Sequence, residues 1–134
     1  MSSRFADTAY YLALINPSDV AHQLANDLTD KFDGILVTTS AVVNGLGNHL
    51  RIPANRALFA QLVRELQENP DVRFVHVDGQ LFRAGIDLFE QRRDQEWSLT
   101  DCISFVVMQR HRLTEALTTD HHFEQAGFTA LLKP

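Results

Sequence analysis

The sequence predicts an α/β fold, a three-layer α/β/α sandwich around a central, mainly parallel five-stranded sheet. Five short apolar segments alternate with longer helical patterns along the 134 residues, which is typical of parallel strands joined by crossover helices. The segment 34–38 is a continuous apolar run after a turn, as expected of a strand buried on both faces. No internal repeat or linker interrupts the chain, so residues 1–134 are expected to form one domain.

The first half of the chain is expected to contain two strands and four helices. Ser18 is the expected N-cap of the second helix. Its buried face is predicted from Val20, Leu24 and Leu28, which are spaced four residues apart. Pro53 suits the first turn of a long helix. The predicted elements are a strand over 4–7, helices over 8–15 and 18–32, a strand over 34–38, and helices over 41–50 and 53–69.

The second half is expected to contain three strands and three helices. Phe74 is predicted to be a core residue, and Gly127 is predicted to end the last helix. The buried face of the helix over 79–93 is predicted to be Leu81, Phe82, Ile86 and Phe89. The predicted elements are a strand over 72–77, helices over 79–93 and 98–110, a strand over 115–119, a helix over 120–126 and a strand over 128–132.

Composition narrows the class of protein. The net charge of −5 argues against a broad electrostatic footprint for nucleic acid. However, only Lys31 and Lys133 are lysines among the 12 basic residues, and arginine suits bidentate contacts to phosphate.

No apolar run is long enough for a membrane span, and the first residues do not resemble a secretory signal. Cys102 is the single cysteine, which fits a reducing cytoplasm, and it is expected to lie in the core.

Three aspartates stand at the ends of predicted elements. Asp7 and Asp120 follow strands, and Asp101 lies in the first turn of the helix that leads into the fourth strand. Because parallel strands end at one edge of the sheet, the three carboxylates could meet there. A divalent cation would relieve their repulsion, and ligand oxygens favour Mg²⁺ or Mn²⁺. Each aspartate could instead cap a helix, and Ser98 with Asp101 has the spacing of a capping box.

Two further features bear on this interpretation. His121 and His122 are adjacent, so they are expected to face apart on a helix and to be solvated or partly buried. A structural zinc site is disfavoured by the single cysteine. Gly45 and Gly47 both lie in the predicted helix over 41–50, where each destabilises the helix by about 1 kcal/mol relative to alanine. Such a conflict between propensity and pattern tends to mark a functional or altered position.

Three motifs resemble those of the PIN-domain family, most closely the VapC-type toxins. The first strand ends in Asp7-Thr8, residues 98–102 read S-L-T-D-C, and residues 118–123 read T-T-D-H-H-F. The resemblance covers nearly the whole chain. It implies a single PIN-like α/β/α domain and Mg²⁺- or Mn²⁺-dependent ribonuclease activity.

One position departs from the family pattern. The second acid of the family is a glutamate in a segment like V-T-T-x-x-V-x-x-E, and here Gly45 occupies that place. Two explanations stay open. The protein is a weakened or non-catalytic member of the family, or the sequence carries an inactivating change that relieves the cell of an active toxin.

The resemblance implies roles for the site residues. Asp7 and Asp101 would hold the metal, and Asp120 would bind a second metal or orient the attacking water. Hydroxyl groups would support these carboxylates, and arginines would contact phosphate. The supporting residues are Thr8, Ser98 and Thr118, and the candidate arginines are Arg4, Arg51 and Arg56.

The resemblance also implies partners. RNA would be the substrate, and the tail of a small antitoxin would cover the acidic pocket. Family members often dimerise, and the helix over 53–69 offers an apolar face for a homodimer. The main alternative is a non-catalytic PIN-like module that binds RNA or protein. A receiver domain is disfavoured because Lys133 is too close to the C-terminus to serve as its late lysine.

Overall fold

The central feature of the computed structural model, which describes residues 2–133, is a five-stranded parallel sheet in the order β3-β2-β1-β4-β5. All four strand pairs are parallel, and the elements alternate as expected, so the predicted fold class is confirmed. The strands are β1 (Ser2–Ala6), β2 (Gly34–Thr39), β3 (Val72–Val75), β4 (Glu115–Leu117) and β5 (Thr129–Ala130).

Seven helices connect these strands within the described residues. They are α1 (Thr8–Ile15), α2 (His22–Lys31), α3 (Ser40–His49), α4 (Pro53–Glu68), α5 (Gly79–Gln91), α6 (Leu99–Arg110) and α7 (His121–Gln125). The chain first builds outward from β1 to β3 and then returns to add β4 and β5 on the other side. Because crossovers are right-handed, this reversal distributes the helices over both faces of the sheet. No helix within residues 2–133 is both long and apolar enough to cross a membrane.

The reversal of strand order creates a switch point between β1 and β4. These strands are in register, with Phe5 opposite Ala116 and Ala6 opposite Leu117. The pairing continues one step further, because the backbone N–H of Asp7 donates to the carbonyl oxygen of Leu117 over 3.2 Å. Ligands of open α/β sheets bind at this point, beyond the carboxyl ends of the strands.

Helix α6 is the most buried element of the core. Its residues 101–108 are all buried, and Phe105 packs edge-on against Phe123 with ring centroids 4.9 Å apart. Cys102 is fully buried, so its predicted place in the core is confirmed. Burial, together with the negative charge of Asp101, raises the pKa of the Cys102 thiol to about 11, which keeps it protonated and unreactive.

The predicted start of the second helix is wrong. Helix α2 begins at His22, because the preceding residues form side-chain turns instead of a helical turn. The Asn16 side chain accepts from the Ser18 backbone over 3.0 Å, and the Asp19 side chain accepts from the Ala21 backbone over 2.9 Å. Val20 lies outside the helix and is fully exposed, so its predicted burial is also wrong.

The predicted buried face of α5 is partly wrong. Leu81 and Gly85 are buried against α6, whereas Phe82 and Phe89 are 47% and 50% exposed. A Cβ atom on Gly85 would lie 2.5 Å from Cγ1 of Ile103, so α5 and α6 are in close contact at this glycine. The contact therefore centres on the small residue and turns the two phenylalanines outward. Phe74 is only half-buried because β3 is an edge strand.

Candidate active site

Asp7 stands at the carboxyl end of β1 and immediately before α1. It occupies the N-cap position, yet its side chain makes no cap hydrogen bond to the helix. Its Oδ2 instead accepts a hydrogen bond from the Thr118 hydroxyl over 2.8 Å. The alternative that Asp7 only caps a helix is therefore wrong, because its carboxylate is turned toward the end of β4.

The pKa of Asp7 is shifted by its surroundings, which include the charges of Asp101 and Asp120. Burial, together with the smaller effect of the negative charges of Asp101 and Asp120, raises the pKa of Asp7 from 3.8 to about 6. The Thr118 hydroxyl and the Thr8 backbone oppose this shift by hydrogen bonding to the carboxylate. Three mutually repelling carboxylates at one sheet edge are the arrangement that a divalent cation stabilises.

Asp101 combines a capping role with a place in this pocket. Its Oδ2 accepts from the Ser98 backbone N–H, and its own N–H donates to the Ser98 hydroxyl, both over 3.0 Å. This is the capping box that the spacing predicted. The Asp101 side chain is 12% exposed at the first turn of α6, and Ser98 fixes its orientation. Capping and ligand binding are thus compatible at this residue.

Asp120 caps α7 and is tied to Asp7 through one threonine. Its Oδ1 accepts from the His122 backbone N–H over 2.9 Å, and its own N–H donates to the Thr118 hydroxyl oxygen over 3.1 Å. Thr118 is fully buried and donates to Asp7 at the same time. A single hydroxyl therefore orients two of the three predicted acids.

Replacing Thr118 by valine should lower the free energy of unfolding by about 1–3 kcal/mol, because the Asp120 N–H and the Asp7 carboxylate would each lose a hydrogen-bond partner. The pKa of Asp7 should also rise further, since a hydrogen bond that lowers it disappears. Urea unfolding and NMR titration of the Asp7 carboxyl would measure the two effects. Thr118→Ser is the matched control because it keeps the hydroxyl. Equal stability of the serine and valine variants would contradict this role.

His122 is a member of the cluster that the sequence reasoning missed. Its Nδ1 lies 3.0 Å from Oδ2 of Asp101 and 3.3 Å from Oδ1 of Asp120, and the side chain is 22% exposed. The expectation that His121 and His122 face apart is wrong, because their ring centroids are 4.5 Å apart. The pair opens a helix of only five residues, where both rings turn toward the cap. The available signal was the position of His122 two residues after a capping aspartate.

Gly45 faces the same edge from α3. A Cβ atom at this position would lie 3.4 Å from the Thr8 hydroxyl oxygen, which is ordinary van der Waals contact. The Thr8 hydroxyl donates to the Val42 carbonyl oxygen over 3.3 Å, so it is not the support for a carboxylate that was expected. A side chain at position 45 would thus begin beside the residue that follows Asp7, and the backbone has room for it.

Comparison with known proteins identifies the family. The PIN domain model matches residues 4–129, which is most of the chain. This chain belongs to the PIN-domain family. It is 29% identical over 125 residues to the 23S rRNA-specific endonuclease VapC20 of Mycobacterium tuberculosis, which covers 92% of this chain and 94% of the relative.

Solved structures agree with this assignment. The crystal structure of M. tuberculosis VapC20, described as a toxin that cleaves the sarcin–ricin loop, superposes with a TM-score of 0.85 and 26% identity over 96% of this chain and 97% of that one. FitAcB of Neisseria gonorrhoeae shares the fold, with a TM-score of 0.69 and 15% identity over 96% and 95% of the two chains. The predicted resemblance to PIN-domain proteins, and most closely to VapC-type toxins, is confirmed.

PIN nucleases generally depend on divalent metal ions. In the described residues, the carboxylate oxygens of Asp7, Asp101 and Asp120 do not all lie within 4.8 Å of one another, so an ion would have to draw them together. Asp7, Asp101 and Asp120 offer carboxylate oxygens, the ligands that hard cations prefer. Burial and mutual repulsion hold the pKa of Asp7 at about 6, so a cation that binds its ionised form would gain affinity by relieving that repulsion. Position 45, where the PIN-domain pattern predicts a glutamate, is glycine in this chain.

The three candidate arginines of this PIN domain differ in their surroundings. Arg4 is held by Glu115 over 3.2 Å and stacks on Phe32, so it is engaged within the fold. Arg51 and Arg56 lie at the α3–α4 corner, where Arg51 donates to the Asn48 carbonyl oxygen over 2.8 Å and Arg56 donates to that of Arg51 over 2.7 Å. Arg51 lines a surface depression that also contains Gly45. Of the three, Arg51 is the one that shares a surface depression with Gly45.

Proposed function

We propose that this chain is a VapC-type endoribonuclease toxin whose activity is weakened by glycine at position 45. The observation that carries this proposal is the set of contacts that link the three aspartates. The Thr118 hydroxyl binds both the Asp7 carboxylate and the Asp120 backbone, and His122 Nδ1 lies 3.0 Å from Asp101 and 3.3 Å from Asp120. The family assignment and the named activity of VapC20 support the same reaction class, which is hydrolysis of an RNA phosphodiester.

Asp7 and Asp101 would hold a Mg²⁺ or Mn²⁺ ion, and Asp120 would bind a second ion or orient water. The bound ion supplies Lewis-acid stabilisation of phosphate oxygens and activation of water. The protein contributes orientation, since Thr118 fixes Asp7 and Ser98 fixes Asp101. Arg51 would contact a phosphate of the RNA that crosses the α3 side of the pocket.

The relative suggests a substrate and the family suggests partners. Because VapC20 is named for 23S rRNA and the sarcin–ricin loop, that stem–loop is the first RNA to test. We expect a small antitoxin whose tail covers the acidic pocket, and action in the cytoplasm by residues 1–134 as one domain. A homodimer through α4 also stays a prediction, since that helix buries only Leu66 and leaves Leu58 44% exposed.

A second candidate function is a non-catalytic PIN-like module that binds RNA or protein. The observation that favours it is Gly45, which brings no carboxylate to a position where the backbone would accommodate one. Such a module would bind the RNA without cutting it. Binding and cleavage must therefore be measured on the same substrate.

The deciding experiment incubates the untagged chain with an end-labelled sarcin–ricin stem–loop RNA and Mn²⁺ or Mg²⁺. Slow cleavage at a defined site is expected, which EDTA abolishes and Asp101→Asn removes. Gel-shift binding of the same RNA serves as the parallel measurement. Binding without any cleavage, in this chain and in a Gly45→Glu variant that remains folded, would favour the non-catalytic module instead.

A further inference from the structure

A second group of metal-binding side chains lies beside the carboxylate pocket. In the part of the chain that the structure describes, Asp120, His121 and His122 form the one cluster in which three potential ligand atoms all lie within 4.8 Å of one another. The proposed ribonuclease chemistry uses Asp120 but neither imidazole. The histidine pair is therefore a feature that the proposed function does not explain.

The spacing of these atoms suits a tetrahedral ion. Oδ1 of Asp120 lies 3.7 Å from Nδ1 of His121 and 3.3 Å from Nδ1 of His122. An ion bound at about 2.0–2.1 Å with tetrahedral angles separates its ligands by about 3.4 Å. Small side-chain adjustments would bring the three atoms onto one ion, with water completing the coordination. The exposure of His121, 63% of its side chain, leaves an open path from solvent.

We propose that Asp120, His121 and His122 form a binding site for a borderline transition-metal ion of the Zn²⁺ class. Two imidazole nitrogens and one carboxylate oxygen are the ligand set that such ions favour, whereas Mg²⁺ favours oxygen ligands alone. The site differs in this respect from the carboxylate pocket of Asp7 and Asp101. It shares Asp120 with that pocket.

Occupancy of this site changes the hydrogen bonding of Asp101. His122 Nδ1 lies 3.0 Å from Asp101 Oδ2, so the two are hydrogen-bonded while Nδ1 carries its proton. Coordination through Nδ1 requires the unprotonated nitrogen, and that hydrogen bond is then lost. The ion takes over the role of holding His122 and Asp120 together. Ser98 continues to hold Asp101 through the capping box.

The test is calorimetric titration of untagged, metal-free protein with ZnCl₂ at neutral pH, together with the visible spectrum of the Co²⁺-substituted chain. One equivalent of tight binding and the absorption bands of low-coordinate Co²⁺ are expected. His121→Ala should weaken Zn²⁺ binding by at least about tenfold, the effect that losing even an outer partner of a metal ligand can have. Since His121 is exposed, this variant should fold normally, which circular dichroism would check.

Two control variants locate the ion. His76→Ala removes an exposed histidine elsewhere and should leave Zn²⁺ affinity nearly unchanged. Asp7→Asn removes a carboxylate from the neighbouring pocket but none of the three proposed ligands, and it should also preserve binding. Equal affinity of His121→Ala and the unmodified chain would overturn the proposal. Loss of binding in Asp7→Asn alone, or no binding at all, would overturn it too. These outcomes do not depend on whether the chain cleaves RNA.

Discussion

Replacing Gly45 by glutamate is expected to raise metal-dependent RNA cleavage by at least about tenfold, because it supplies the carboxylate that the PIN-domain pattern places there. The first atom of the new side chain would make only van der Waals contact with Thr8. Removing a helix-interior glycine should also stabilise α3 by up to about 1 kcal/mol. Single-turnover cleavage of the sarcin–ricin stem–loop in Mn²⁺ would measure the first effect, and urea unfolding the second.

Gly45→Gln separates the two contributions. Glutamine has the size and nearly the helix propensity of glutamate but lacks the charge that binds a cation. The glutamine variant should therefore gain stability without gaining cleavage activity. The additional cleavage by the glutamate variant should disappear in EDTA. If both variants cut RNA equally well, the added carboxylate is not a metal ligand and the role assigned to position 45 is wrong.

The order of elements could be predicted because it depends on local signals. Alternating strand and helix patterns and a few capping residues indicate it, and the structure confirms twelve elements in the expected order. The proximity of Asp7 and Asp120, which both bind the Thr118 hydroxyl, could also be anticipated, since they follow strands that a parallel sheet must end at one edge. These inferences use the neighbours of a residue in sequence and the general geometry of sheets.

Which flank of a helix faces the core could not be predicted in the same way. Along α5, apolar residues occupy more positions than one buried stripe needs, so the pattern did not indicate that Phe82 and Phe89 are exposed. The close approach at Gly85 decides it, because α6 packs where there is no side chain. Helix propensity does not indicate how a glycine packs, because its packing depends on a partner far away in sequence.

The contact of His122 with the aspartates could not be predicted, for a related reason. Its contact with Asp101 joins residues 21 positions apart and depends on how the start of α6 meets the start of α7. Helical periodicity predicts diverging directions for adjacent residues, but it applies poorly to the first turn of a five-residue helix. Capping residues were identified correctly at Ser98 and Asp120, and the structure shows that the caps also orient the functional side chains.

Replacing Asp7 by asparagine is expected to abolish cleavage while making the protein more stable. The carboxylate that would hold the metal is lost, whereas the amide oxygen can still accept the Thr118 hydroxyl. In the absence of metal, ionised Asp7 destabilises the folded chain because burial and two neighbouring charges raise its pKa to about 6. Its removal should therefore raise the free energy of unfolding near pH 7 by about 1–3 kcal/mol.

The pH dependence gives this prediction a sharper test. Between pH 3.8 and about 6, Asp7 is protonated in the folded chain but ionised in the unfolded chain. The folded state then binds more protons, so the contribution of Asp7 to stability falls as pH rises through this window. Urea unfolding in EDTA should be measured across this pH window. The difference in the free energy of unfolding between the asparagine variant and the unmodified chain should widen as the pH rises. A constant difference in the free energy of unfolding would mean that Asp7 has an ordinary pKa. Asp101 and Asp120 would then have no electrostatic effect on it.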